Sequence, residues 1–236
     1  MYVLYWRRRR VWIFLAAVLA AVFIGMMAWR WVQGEDAPVF KVQPIYQGDV
    51  NKKAVALAFN VDWGEEFLPD ILQTLSRNQA RATFFVTGQW AVKFPDLVRQ
   101  MAREGHEIGN HGYSHQHVDN LSREENREDI RKAEGVLADL TGRRPALYAP
   151  PYGESKPHVV AAAADLGYKF IMWTVNTGDY LPGTAAEDII KIVVSHSQNG
   201  AIVLLHPTRP TAEALGEIIN QLRKRGYELA TVSEIL

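Results

Sequence analysis

Two histidines four residues apart, His111 and His115 in the stretch EIGNHGYSHQH from Glu107 to His117, are the strongest chemical signal in the chain. A spacing of four is one helical turn, so a short turn directs both imidazoles to one side, as a divalent metal requires. The chain has no cysteine, and a metal would therefore be held by nitrogen and oxygen alone. Two imidazoles leave such a set incomplete. Catalytic zinc usually has three protein ligands and one open position, so a carboxylate is expected from another loop. Asp62, in LAFNVDWGEE, is the first candidate. An isolated H-x-x-x-H is more often a pair of solvent-facing loop residues, so the elements around it decide.

From about Lys52 onward, apolar runs of strand length alternate with segments of helical period, the pattern of a parallel α/β fold. Strands are expected at Ala54–Phe59, Ala82–Val86, Glu107–Gly109, Ala146–Ala149, Phe170–Val175 and Ala201–Leu205, with a short one near Glu228. Helices are expected at Phe67–Asn78, Pro95–Glu104, Arg123–Thr141, Lys156–Leu166, Ala185–Ser195 and Thr211–Arg225. The chemically useful residues follow strands. Asn60 and Asp62 close the first, His111 and His115 follow the third, and Ala149 to Gly153 (APPYG) follow the fourth. Asn176 and Asp179 follow the fifth, and His206 ends the sixth. Loops at the carboxyl ends of parallel strands share one face, where such folds build their sites. Polar groups arriving from five strand ends make a site the better reading.

The chain has 236 residues, 48% of them hydrophobic, and 26 basic groups against 26 acidic. Five basic residues (Arg7, Arg8, Arg9, Arg10 and Arg30) and no acidic ones lie in the first 32 positions, which leaves 21 basic against 26 acidic beyond. That balance argues against a nucleic-acid partner. Val11 to Trp29 are 19 residues without a charge, a helix of about 28 Å, which matches a bilayer core. Arg7 to Arg10 ahead of it would hold the N-terminus in the cytoplasm. The expected organisation is a basic stub with a single transmembrane anchor (1–32), an extracellular tether (33–51) and one domain (52–236). A cleaved signal peptide is the competing reading. It would have a shorter apolar run and a small-x-small site, whereas Arg30, Trp31 and Val32 follow here.

From about Lys53 to Leu236 the order of these motifs resembles the polysaccharide deacetylase family, the chitooligosaccharide deacetylase-like enzymes of carbohydrate esterase family four. The resemblance implies a distorted (β/α) barrel of seven to eight strands and a divalent metal, usually zinc, held by Asp-His-His. It also implies removal of acetyl groups from N-acetylated glycans such as peptidoglycan or chitin, acetyl esters of xylan being the substrate of some members. Among members, the chain looks most like the membrane-anchored sporulation or cell-wall subgroup of Gram-positive bacteria. The resemblance makes Asp62, His111 and His115 the metal ligands and His206, in Leu204-Leu205-His206, the general acid. PPYG keeps the proline, tyrosine and glycine of the third motif, so Pro151 and Tyr152 would bind substrate, with the Tyr152 backbone N–H at the oxyanion. Trp173, Tyr180 and Leu204 would line an acetyl pocket. Pro150 to Gly153 would also make a rigid turn in any protein, and Trp173 equally suits a core.

Three departures stand against this pattern. Where the family has the aspartates of T-F-D-D-G this chain has AFNVDWG, so Asn60 occupies the position of the catalytic base and two extra residues separate Phe59 from Gly64. An amide does not accept a proton at neutral pH. Ala149 stands where the family has the arginine that orients the base, and Asn176 is read as standing where an aspartate pairs with the acid histidine. Asp62, Glu65 or Asp179 are the carboxylates left to act as base, although Glu65 and Glu66 also suit the start of a helix. Two functions follow: a working metal-dependent N-deacetylase with altered acid-base residues, or an impaired domain that binds glycan or a partner at the cell surface.

Overall fold

The computed structural model describes Trp12, residues 17–27 and residues 43–236. The chain divides into two compact units, Met1–Lys41 and Val42–Leu236. In the first, Trp12 and residues 17–27 are helical; the rest of the expected anchor Val11 to Trp29, like Arg7 to Arg10, lies outside the described residues. No described helix is long and apolar enough to cross a membrane.

The second unit is a parallel sheet wrapped by helices, with strands β1 (Ala54–Val61), β2 (Thr83–Val86), β3 (Glu107–Asn110), β4 (Leu147–Tyr148), β5 (Lys169–Phe170), β6 (Val175–Asn176), β7 (Ala201–Leu205) and β8 (Glu228–Ala230). The order is β5-β4-β3-β2-β1-β7-β6, with β8 also paired to β1. Every residue of β1 is buried, as expected of a central strand covered on both faces. β7 runs along Val55 to Phe59 on one edge. The other edge is shared: β8 takes Ala54 to Ala56 and β2 takes Ala58 to Val61. The residues just past β1 therefore sit beside those past β2 and β7.

The expected distorted barrel takes the form of a curled sheet that stays open between β5 and β6, which do not pair among the described residues. The gap is bridged by a segment expected to be tether. Ile45 bridges to Ile171 and Gln47 to Ala201. The Ile45 N–H donates to Phe170 O (2.8 Å) and the Met172 N–H to Ile45 O (2.7 Å), while the Gly48 N–H donates to Gly200 O (2.8 Å). The ordered domain thus begins ahead of Lys52. The single strand expected at Phe170–Val175 is the two short strands β5 and β6, interrupted where Thr174 Oγ1 donates to Tyr46 O (2.7 Å) of this strap.

Two helices matter for the site. Arg123–Thr141 begins at a capping box, with Ser122 Oγ accepting from the Glu125 N–H and Glu125 accepting from the Ser122 N–H, and ends at the left-handed Gly142. It carries Asp129. The six-residue helix Gly88–Lys93, too short to show a period, is capped by Thr87.

At the opposite end of the strands, His106 is buried and its Nδ1 accepts from the Ala82 N–H (3.2 Å), which places the neutral ring's proton on Nε2. Burial pushes its pKa below the ordinary 6.5, against an upward pull from Glu104. A histidine held neutral by the fold contributes stability above its unfolded pKa, and that contribution is lost as pH falls toward the folded value. Thermal stability of the native chain is expected to fall more steeply between pH 7 and 5 than that of His106→Gln. The difference should be no more than about 1.4 kcal/mol per pH unit. Melting curves across that range check it, and equal slopes refute it.

Candidate metal-binding active site

The strand ends build one cavity of about 270 Å³, lined by Asn60, Asp62, Trp63, His111, His115, Tyr152, Gly153, Trp173, Asn176, Tyr180, Leu204 and His206. Ten of the residues singled out from the sequence meet here: Asn60, Asp62, His111, His115, Tyr152, Trp173, Asn176, Tyr180, Leu204 and His206. Pro151 and Asp179 do not line it. Pro151 is buried beneath the turn, and Asp179 stands behind His206.

His111 follows β3 and is buried, with Nδ1 at 2.8 Å from the Ala149 carbonyl. A carbonyl only accepts, so Nδ1 holds the proton and the Nε2 lone pair is left for the cavity. Burial, with His115 close by, lowers the His111 pKa to about 3. The His111 and His115 rings meet edge to face at 5.2 Å. The His115 pKa is lowered by burial, against an upward pull from Asp62. His115 also has a left-handed backbone (φ 50°), a conformation costly for a residue with a side chain.

Asp62 Oδ2 is 3.8 Å from His115 Nδ1, and Asp62 Oδ1 accepts from Thr87 Oγ1 at 2.7 Å. The carboxylate and the imidazole pair are therefore brought together from separate strands. In kind they fit a divalent metal: two neutral imidazoles, one with its tautomer fixed, and one oriented carboxylate oxygen. No three His, Asp or Glu side chains among the described residues already stand in metal-holding geometry.

The histidine loop is gripped from behind. Asp129 accepts from the Tyr113 N–H (2.7 Å) and Ser114 Oγ (2.8 Å). Gly112 is left-handed (φ 77°), and a Cβ there would come within 2.6 Å of Asp129 Oδ2, so only glycine lets the loop close on that carboxylate.

On the other side, His206 Nδ1 is 2.8 Å from Asp179 Oδ1. Asp179 Oδ2 accepts from the His206 N–H (2.6 Å) and from Thr211 Oγ1 (2.6 Å). This corrects the reading of Asn176: the carboxylate partner of His206 is present and is Asp179, while Asn176 lines the cavity and its Oδ1 accepts from the Gly178 N–H (3.0 Å). It also reassigns Asp179 from substrate contact to positioning of His206, and removes it as a replacement base. Glu65 is likewise engaged elsewhere, near Trp90 Nε1 at 3.4 Å.

Asn60 is 7% exposed and its Oδ1 has no hydrogen-bond partner. Ala149 is 3% exposed. The position to which the resemblance assigns the base is thus a buried amide, and that to which it assigns the arginine is a packed methyl. Sequence reasoning overlooked Trp63, which lies in the two-residue insertion after Phe59. The insertion itself was the available signal.

The polysaccharide deacetylase family profile matches residues 47–171. The chain is 38% identical over 195 residues to the uncharacterized protein YlxY of Bacillus subtilis (strain 168), covering 82% of this chain and 60% of YlxY. It thus spans less than two thirds of that relative. It is 36% identical over 192 residues to a peptidoglycan-N-acetylglucosamine deacetylase of Bacillus cereus, covering 79% of this chain and 70% of that protein. Among solved structures it is similar to wild-type BA3943 of Bacillus anthracis, described as a CE4 family pseudoenzyme. The TM-score is 0.79 at 36% identity, over 82% of this chain and 69% of that one. A BA3943 mutant described as having restored enzymatic activity matches with a TM-score of 0.80 at 34% identity, over 82% and 71%. The curled parallel sheet, the histidine pair facing Asp62 and these likenesses agree, and the chain belongs to the polysaccharide deacetylase family.

Proposed function

We propose that this chain is a metal-dependent hydrolase that removes acetyl groups from N-acetylated cell-wall glycan, with zinc as its metal and a weakened base. The observation that carries this reading is the intact acid arm: His206, fixed through Nδ1 by buried Asp179, faces the same cavity as Asp62, His111 and His115. A divalent cation bound by those three would supply Lewis-acid polarisation of the acetyl carbonyl.

The chain's own residues do the rest. Trp173 and Leu204 form an apolar wall for the acetyl methyl. The backbone N–H of Tyr152, in the left-handed turn (φ 57°) that lines the cavity, would donate to the oxyanion. His206, with Nδ1 turned to Asp179, would deliver a proton from Nε2 to the leaving amine. Asn60 cannot take a proton, so the rate should lie about 10² to 10⁴ below that of a member with a carboxylate there.

The second reading, glycan binding without turnover, is favoured by Asn60 and Ala149 and by the likeness to a pseudoenzyme. For location we propose the plasma membrane, with Val11 to Trp29 as a single-pass anchor, the N-terminus in the cytoplasm and the domain outside. The charge-free run and the arginines before it support this.

The test is acetate release from peptidoglycan and from N-acetylglucosamine oligomers by the full chain with zinc. Release is expected, and chelation or His111→Ala should abolish it. No release above the His111→Ala background, with metal bound, selects the binding reading.

A further inference from the structure

Trp63 is the residue of the site that neither the metal nor the acid arm uses. It follows Asp62 in the two-residue insertion, lines the cavity and is 42% exposed. The other two described tryptophans of the domain are covered: Trp90 is buried and Trp173 half-buried. Packing covers only part of the indole, which leaves an aromatic surface open at the mouth of the cavity where a ligand would meet it.

Its position is fixed rather than loose. Gly64, next in sequence, is left-handed (φ 82°), and a Cβ there would fall 2.0 Å from Pro207 O, so the backbone beside Trp63 lies directly against the residue after His206. The indole is parallel to the His206 ring (4°) with centroids 6.1 Å apart. Tyr180, 47% exposed, stands edge-on to the same imidazole at 5.1 Å. The acid histidine is thus framed by two exposed aromatic rings.

A rigid, half-exposed aromatic face next to a group that protonates a leaving amine suits a ligand with an extended apolar face beside its reacting atoms. A pyranose ring presents its axial C–H bonds as such a face. We propose that Trp63 is a stacking platform for the sugar next to the one whose acetyl group enters the cavity, so that it sets a preference for oligomers over the monosaccharide. This rests on the glycan reading given above and deepens it.

The test is binding of N-acetylglucosamine and its tetramer to the full chain by calorimetry, with chelator present so that turnover does not enter. The native chain should bind the tetramer more tightly than the monosaccharide. Trp63→Ala should weaken tetramer binding by about tenfold and narrow that difference. Trp63→Phe should recover most of the affinity, as a packing role for the larger indole would not. Tetramer binding unchanged in Trp63→Ala, or equally weak in Trp63→Phe and Trp63→Ala, overturns the inference and leaves the glycan reading standing. No tetramer binding by the native chain overturns both.

Discussion

Replacing Asn60 by aspartate and Ala149 by arginine together is expected to raise acetate release by about 10² to 10⁴, the usual contribution of a general base. Asn60 already lies on the cavity wall, buried, with an Oδ1 that has no hydrogen-bond partner. A carboxylate there would be desolvated, which favours its protonated form and brings it toward the range where it takes and gives protons readily. The arginine is the necessary counterpart. Ala149 packs among Phe85, Leu147, Ile171 and Trp173, so Ala149→Arg alone puts an unpaired cation into a closed space and should lower stability. With Asp at position 60 the charge gains a partner. The double variant should therefore be more stable than Ala149→Arg alone and more active than either single variant. Steady-state acetate release and thermal melts on all four proteins check this. A folded, metal-bound double variant no faster than native would show that the base position is not what limits the chain.

Removing Asp179 should have the second largest effect, on both rate and stability. Its side chain is fully buried and accepts from three donors: the His206 ring, the His206 backbone and Thr211 Oγ1. Asp179→Ala leaves all three without their acceptor, at a cost of about 3 to 5 kcal/mol. Its rate should fall by about 10² to 10⁴ as the acid loses its orientation. Asp179→Asn keeps the volume and one acceptor, so it should recover much of the stability but less of the rate. Denaturant unfolding and acetate release separate the two effects. An Asp179→Ala protein with native stability and turnover would refute the role given to His206.

What the sequence disclosed, and what it hid, follows from range. The carboxyl ends of the strands were legible because apolar runs mark strands and polar residues end them, and ten of the chosen side chains accordingly meet in one cavity. The choice between Asn176 and Asp179 was not legible. Both lie in one loop three residues apart, and only the path from β6 to Ala186 decides which carbonyl or carboxylate turns back to His206. Trp63 was hidden for the opposite reason: an insertion reads as a spacing fault until the loop closes on Pro207. The tether boundary was misplaced because residues 44–50 have no period of their own and are held by distant partners, among them Phe170, Thr174, Asn199, Gly200 and the C-terminal Ile235.

That strap gives the domain a defined response to mechanical load. Ile45 is zipped between Phe170 and Met172, at the edge that leads into Trp173 and the cavity wall, before the chain descends to Gly200. Tension drawn along the residues ahead of Ile45 would reach those two bonds first and the Gly48 bond after them. A pulled chain would thus loosen the seam beside the Trp173 side of the cavity before the load reached β1, deep in the sheet.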